Sequence, residues 1–244
     1  MTEEEILKRL YLPKSTWILR TFPYNKLAAQ LNSKQQKLCS EGIESRGIRL
    51  LATINSVNTN ISKFENEHVR FEEIHLFQIK VTSLKYCKDI YKVLAEVIPY
   101  PLLILFLHED KYQWIAAIHR KQEHSILLKM EKIFQSSLEI PLDIYLKYLV
   151  SKNINSLDLK SYYEMFIKQI VNVELQEKYH VKTKDSHNAD LLEKIIQLDK
   201  VIFQLVNQAK KEKQMNKRIA LQVEANKRKQ QKQKLLEMET EHGE

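Results

Sequence analysis

The chain has 244 residues, 43% of them hydrophobic, and a formal net charge of +8. That is enough apolar material to bury a core in one large domain or two small ones. The longest apolar run, Pro101 to Leu107, falls well short of the roughly 18 residues a membrane span needs, so no membrane-spanning helix is expected.

The N-terminus opens Met1-Thr2-Glu3-Glu4-Glu5, acidic and unlike the basic start of a secretory signal, so a cytoplasmic protein is expected. The only cysteines, Cys39 and Cys87, lie in amphipathic helical patterns and read as two reduced, buried thiols rather than a disulfide. Leu12-Pro13 and Phe22-Pro23 mark two breaks. Lys26 to Ile48 reads as helical, with Leu27, Leu31, Leu38 and Ile43 inward and interruptions at Gly42 and Gly47. From Ile48 to Phe64 apolar residues mix with Asn, Ser and Thr, and the pattern separates neither strand nor loop.

The central segment is clearer. Over Phe71 to Val81, the residues Phe77, Ile79 and Val81 alternate with Gln78 and Lys80, as in a half-buried strand. Ser83 can cap a helix carrying Cys87, Ile90, Tyr91, Leu94, Val97 and Ile98 at three- and four-residue steps. Pro99 and Pro101 end it, because proline has no amide hydrogen to donate to the helical ladder. Leu102 to Leu107 then reads as a buried strand, His108 to Lys111 as a turn, and Tyr112 to His119 as a third strand, with a fourth through Ile126 to Ile133. The order strand, helix, strand, strand predicts an antiparallel-rich mixed sheet in an α+β fold, with helices on one face.

Helices are predicted over Leu142 to Val150 and after Asp158, the second with an inward stripe of Tyr162, Phe166, Ile167, Ile170 and Val171. The expected organisation is a globular domain over residues 1–180, a linker over 181–189 and one long basic helix over 190–240. In that helix Leu191, Ile195, Leu198, Ile202, Leu205 and Ala209 alternate by four and three, the seam of a coiled coil that pairs with a partner or a second copy. Asn207 to Lys234 holds ten basic residues against Glu212 and Glu224, so the whole excess of positive charge sits there. Lys210, Lys211, Lys213, Lys217, Arg218, Lys227, Arg228 and Lys229 are the candidate contacts to DNA or RNA phosphates. A solvated charged helix has the same composition without any ligand.

Catalytic motifs are absent. Three glycines cannot build a phosphate-cradling loop, and neither a zinc spacing nor a Gly-x-Ser-x-Gly elbow occurs, so no cofactor and no metal is expected. The one arrangement resembling an active site is nuclease-like: Glu67, Glu72 and Glu73 precede Gln78-Ile79-Lys80, where a magnesium-dependent nuclease places converging acids and an acid-x-Lys pair. Gln78 stands where that pattern needs an acid. The histidines, His75, His108, His119 and His124 among them, read as surface or hydrogen-bonded residues. Tyr112, Trp114 and Phe106 read as core rather than as a base-stacking platform.

Leu12-Pro13, Lys26, Phe77-Gln78-Ile79-Lys80-Val81, the run Ala95 to Leu103 with its Ile98-Pro99-Tyr100-Pro101, the strand Tyr112 to Lys121 and the helix Tyr163 to Ile170 occur in an order that resembles the bacterial domain-of-unknown-function family numbered 4391. The likeness spans nearly the whole chain. It implies no assigned activity or catalytic residue. It does imply an accessory subunit of a DNA-processing or phage-defence system, partnered with a helicase or DNA methyltransferase.

Overall fold

The computed structural model describes residues 1–121, 128–149, 157–181 and 188–241. The chain forms two compact units, Met1–Ile170 and Val171–Glu244. The division falls inside a helix rather than in the expected linker, most of which (182–187) lies outside the described residues.

The first unit is a mixed α+β fold. Its helices are α1 (Glu3–Arg9), α2 (Tyr24–Ala28), α3 (Ser33–Gly42), α4 (Cys87–Val97), α5 (Leu142–Tyr148) and the beginning of α6 (Leu159–Tyr179). Its strands are β1 (Trp17–Thr21), β2 (Ile43–Asn55), β3 (Phe64–Glu65), β4 (Arg70–Phe71), β5 (Glu73–Val81), β6 (Leu102–His108), β7 (Lys111–Lys121) and β8 (Leu128–Gln135). Six strands make one sheet in the order β1-β2-β5-β6-β7-β8, and β3 and β4 form a small separate hairpin. Only β5 and β6 are parallel, joined through α4; every other neighbour in the large sheet is antiparallel. Antiparallel pairing of sequence neighbours needs only short turns, whereas the one parallel pair needs a crossover helix.

α4 forms as its spacing predicts. Cys87, Ile90, Tyr91 and Leu94 fall on one face and are buried against Phe77, Ile79 and Val81 of β5, Ile104 and Phe106 of β6, and Ile115 and Ala117 of β7. Ser83 makes no capping bond; a 3-10 turn over Leu84–Tyr86 precedes the helix instead. The opposite sheet face is buried as well, through Ile74, Leu76, Leu103, Leu105, Trp114 and Ala116. Helices therefore do not cover one face alone. Glu3 of α1 chelates Arg49 of β2 through two 2.8 Å bonds, on the side where Arg49 stands beside Gln78. Trp114 and Phe106 are core, as expected, and Cys39 and Cys87 are buried and unbonded.

The helix expected over Lys26 to Ile48 is three elements. α3 stops at Gly42 and β2 starts at once. Near its start β2 sets five steps, Ile43 to Ile48, against two steps of β5, Val81 to Ile79. The surplus folds into a bulge that presses the backbone at Gly47 onto β5: a Cβ there would lie 2.7 Å from the Lys80 carbonyl oxygen.

The second unit comprises the end of α6, α7 (Asn188–Lys211) and α8 (Met215–Glu241). The single long helix expected over 190–240 is two helices, broken at residues 212–214. α8 runs back along α7, because Lys232 reaches Asp199 at 2.6 Å while Met215 and Arg218 share a groove with Val206 and Lys210.

Candidate nucleic-acid interface

The α7–α8 hairpin is held by a short seam. Leu191, Ile195 and Ala209 are buried and Leu198, Ile202 and Leu205 are half-buried, with Ala225 of α8 buried where the two helices approach. Farther along, α8 offers Arg228 and Lys232 rather than aliphatic residues toward the interior, each half-exposed and each answered by an acid. Arg228 bonds Glu224 at 2.8 Å, one turn earlier on α8. Lys232 bonds Asp199 and lies 4.8 Å from the Tyr179 ring centroid, and the Tyr179 hydroxyl donates to Asp199 at 3.0 Å. Residues of α6, α7 and α8 thus meet at one polar junction.

The break between the helices contains neither glycine nor proline. Glu212 ends α7, donating its amide to Gln208 O, and its carboxylate accepts the Gln214 amide at 2.8 Å. The only acid at the turn is therefore engaged in capping. Lys210, Lys211 and Lys213 on one side and Lys217 on the other crowd this turn, all exposed, and none forms an ion pair among the described residues. Arg218 donates to Met215 Sδ. Lys227 and Lys229 are exposed farther along α8, while Arg228 is tied to Glu224 and Gln231. The hairpin thus gathers five of the eight candidate cations at its tip, which a single straight helix would spread along its length. Beside them Met215, Ile219 and Val223, four residues apart, are 60%, 48% and 62% exposed.

The nuclease-like set is not brought together. Side chains alternate across a strand, so Glu73 lies on the face of His75 and Phe77, where it bonds His75 and Asn55. Gln78 and Lys80 occupy the other face, Gln78 buried and Lys80 exposed, and the acid on that side, Glu3, is bound to Arg49. Glu72 precedes β5 in a bend. No group of three or more His, Cys, Asp or Glu side chains is placed to hold a metal among the described residues.

One residue departs from its expected role. In place of a surface or hydrogen-bonded histidine, His119 is 3% exposed, and neither Nδ1 nor Nε2 has a partner. Burial pushes its pKa down to about 4. His75 is bonded to Glu73, His108 Nδ1 lies 2.9 Å from the Val81 carbonyl, and His124 lies outside the described residues. The sheet is interrupted close to His119, whose ring centroid lies 6.3 Å from that of Tyr163. β6 and β7 pair from His108–Lys111 to Ile104–Ile115. Two steps on, where Leu102 would face Ala117, the Tyr163 hydroxyl of α6 intrudes: it lies 3.0 Å from Leu102 O and 2.9 Å from Ala117 O and accepts the Ala117 amide at 3.1 Å. Tyr91 of α4 donates to the same Leu102 carbonyl. Burial raises the pKa of both phenols, that of Tyr163 to about 12, so both remain donors. Nothing in the sequence marks this contact, since Tyr163 and His119 are 44 positions apart and the segments that hold them point to no site chemistry.

Neither a curated protein nor a solved structure matches the chain. A family model described as a domain of unknown function (DUF4391) matches residues 10–231. The match takes in every strand of the sheet and nearly all of the hairpin, and the chain belongs to the DUF4391 family.

Proposed function

We propose that the protein is a non-enzymatic accessory subunit whose helical hairpin contacts nucleic acid at its cationic turn. The observation that carries this reading is the cluster of Lys210, Lys211, Lys213 and Lys217 at the α7–α8 turn, unpaired among the described residues and beside an acid already engaged as a cap. Such a cluster meets phosphates through counterion release, an interaction with little dependence on sequence. The expected partner is a helicase or DNA methyltransferase of a DNA-processing or phage-defence system, on the analogy the family resemblance supplies. Pairing with a partner helix, or with a second copy as a coiled coil, would use the exposed stripe Met215, Ile219 and Val223, since Leu191, Ile195 and Ala209 of the α7 seam are already buried. The magnesium-nuclease alternative has less support, because Glu73 and Lys80 face opposite sides of β5 and Gln78 stands in place of an acid.

The test is fluorescence anisotropy with a duplex and a single-stranded oligonucleotide over a range of salt concentrations. Changing Lys210, Lys211, Lys213 and Lys217 together to Gln should weaken binding. It should also flatten the plot of log K against log salt by about 3 to 4 units, one per lost phosphate contact. An unchanged slope would remove the hairpin turn from the interface. Light scattering on the full chain, with and without Val223→Lys, tests self-pairing: a dimer that the substitution leaves intact would clear the stripe of that role.

A further inference from the structure

One side of the α7–α8 hairpin carries a groove of about 590 Å³ that lies wholly within the second unit. Its floor forms where small side chains let the two helices approach: Ala209 of α7 and Ala225 of α8 are both buried there. Val206 stands half-buried on the α7 bank, and Met215 and Ile219 stand exposed on the α8 bank. From Met215 to Lys229 the groove follows α8 for about 21 Å at 1.5 Å per residue, close to four helical turns.

The charge along this groove has one sign. Lys210, Arg218 and Lys229 line it, all exposed and none in an ion pair among the described residues. The remaining polar lining, Gln222 and Asn226, is neutral. The acids nearest in sequence are engaged elsewhere, Glu212 with the Gln214 amide and Glu224 with Arg228. Exposed apolar side chains bordered by polar ones mark an interaction surface. Phosphates would meet the three cations but leave Val206, Met215 and Ile219 in water. A second copy lying groove to groove would set these three cations against the same three with no acid between them, a juxtaposition that disfavours association.

We propose that this groove binds an acidic amphipathic helix of a partner protein. Its apolar residues, at three- and four-residue steps, cover Val206, Met215 and Ile219, and its acidic flanks meet Lys210, Arg218 and Lys229. A helix laid in an apolar groove anchors through such steps, while opposite charge on its flanks fixes register and speeds encounter. The unbranched, flexible side chain of Met215 adapts its shape to the helix that docks. The proposal rests on the hairpin being the binding element, yet it shares only Lys210 with the lysine cluster at the turn.

The full-length protein, labelled in its methionine and isoleucine methyl groups, is titrated with a synthetic peptide of about 18 residues, long enough to form a helix once docked. The peptide carries leucines at three- and four-residue steps and glutamates on both flanks. One control replaces its glutamates by lysines, and a second keeps its composition but scrambles the spacing. The acidic peptide should move the Met215 and Ile219 methyl signals saturably and gain helicity, and neither control should. Ile219→Gln, a change at an exposed position, should reduce affinity about tenfold or more, as expected for an anchor at the centre of an interface. Arg218→Glu together with Lys229→Glu should lose the acidic peptide and accept the basic one. Methyl signals unmoved by the acidic peptide, or moved equally by the scrambled one, would overturn the proposal. So would signals that move with protein concentration alone, which would give the groove to a second copy, or with an oligonucleotide in place of the peptide. Ile219→Gln leaves the turn lysines untouched and should leave the salt dependence of oligonucleotide binding as it was, so the groove and the turn can fail separately.

Discussion

His119 makes stability depend on pH in a defined direction. Its imidazole is held near pKa 4 in the folded chain and returns to about 6.5 when unfolded. Between those values the unfolded state binds the extra proton, so stability is complete above pH 6.5 and is lost as pH falls toward 4, by up to about 3 kcal/mol. His75, also lowered by burial though opposed by Glu73, acts with the same sign. Denaturant titrations at pH 7.5 and pH 5 should therefore differ, and His119→Phe should shrink the difference and raise stability at both, since it removes a buried polar group that has no partner. Unchanged pH dependence in that variant would show that His119 is paired in solution. Tyr163→Phe should act in the opposite sense. It leaves the buried Ala117 amide without its acceptor, a cost of about 1–3 kcal/mol measurable by the same titrations.

Among the elements, α4 and β5 to β7 were legible because each obeys one period without interruption. Cys87, Ile90, Tyr91 and Leu94 fix a helix face, and Leu102 to Phe106 is too short for a helix and too apolar for a loop. β2 was not legible. Its first residues continue the helical spacing of α3, and the bulge over 44–47 breaks the alternation that would have revealed a strand. Gly47 marks the place in hindsight. Gly47→Ala should cost about 1–3 kcal/mol, because the added methyl meets the backbone oxygens of Lys80 and Glu44 at 2.7 and 2.8 Å and neither can rotate away. A melting temperature equal to that of the parent would mean the bulge relaxes freely. The α7–α8 turn was hidden for a different reason. Lys, Glu and Gln are all good helix formers, so residues 210–217 carry no local instruction to stop. The thinning of the seam after Ala209 was the only trace.

For the molecule as a whole, two compact units imply that damage to one need not spread to the other. Ala225→Asp places a charge at a position 2% exposed between α7 and α8, where an unpaired carboxylate is strongly unfavourable. Hydrogen exchange should then accelerate throughout α8 while amides of β5, β6 and β7 keep their protection. Loss of protection in both units together would show that they unfold as one. The sequence by itself determined the α+β class, the central strand–helix–strand–strand order and the concentration of positive charge beyond Asn207, because each is a local property of period or composition; the family was read instead from a resemblance in the order of its segments. Tertiary structure decided that α8 folds back to gather lysines at a turn. It also set Glu73 and Lys80 on opposite faces of β5, and let a tyrosine from α6 wedge between neighbouring strands and leave a histidine buried without partners. Those outcomes depend on which distant surfaces meet, and no window of sequence contains both halves of such a contact.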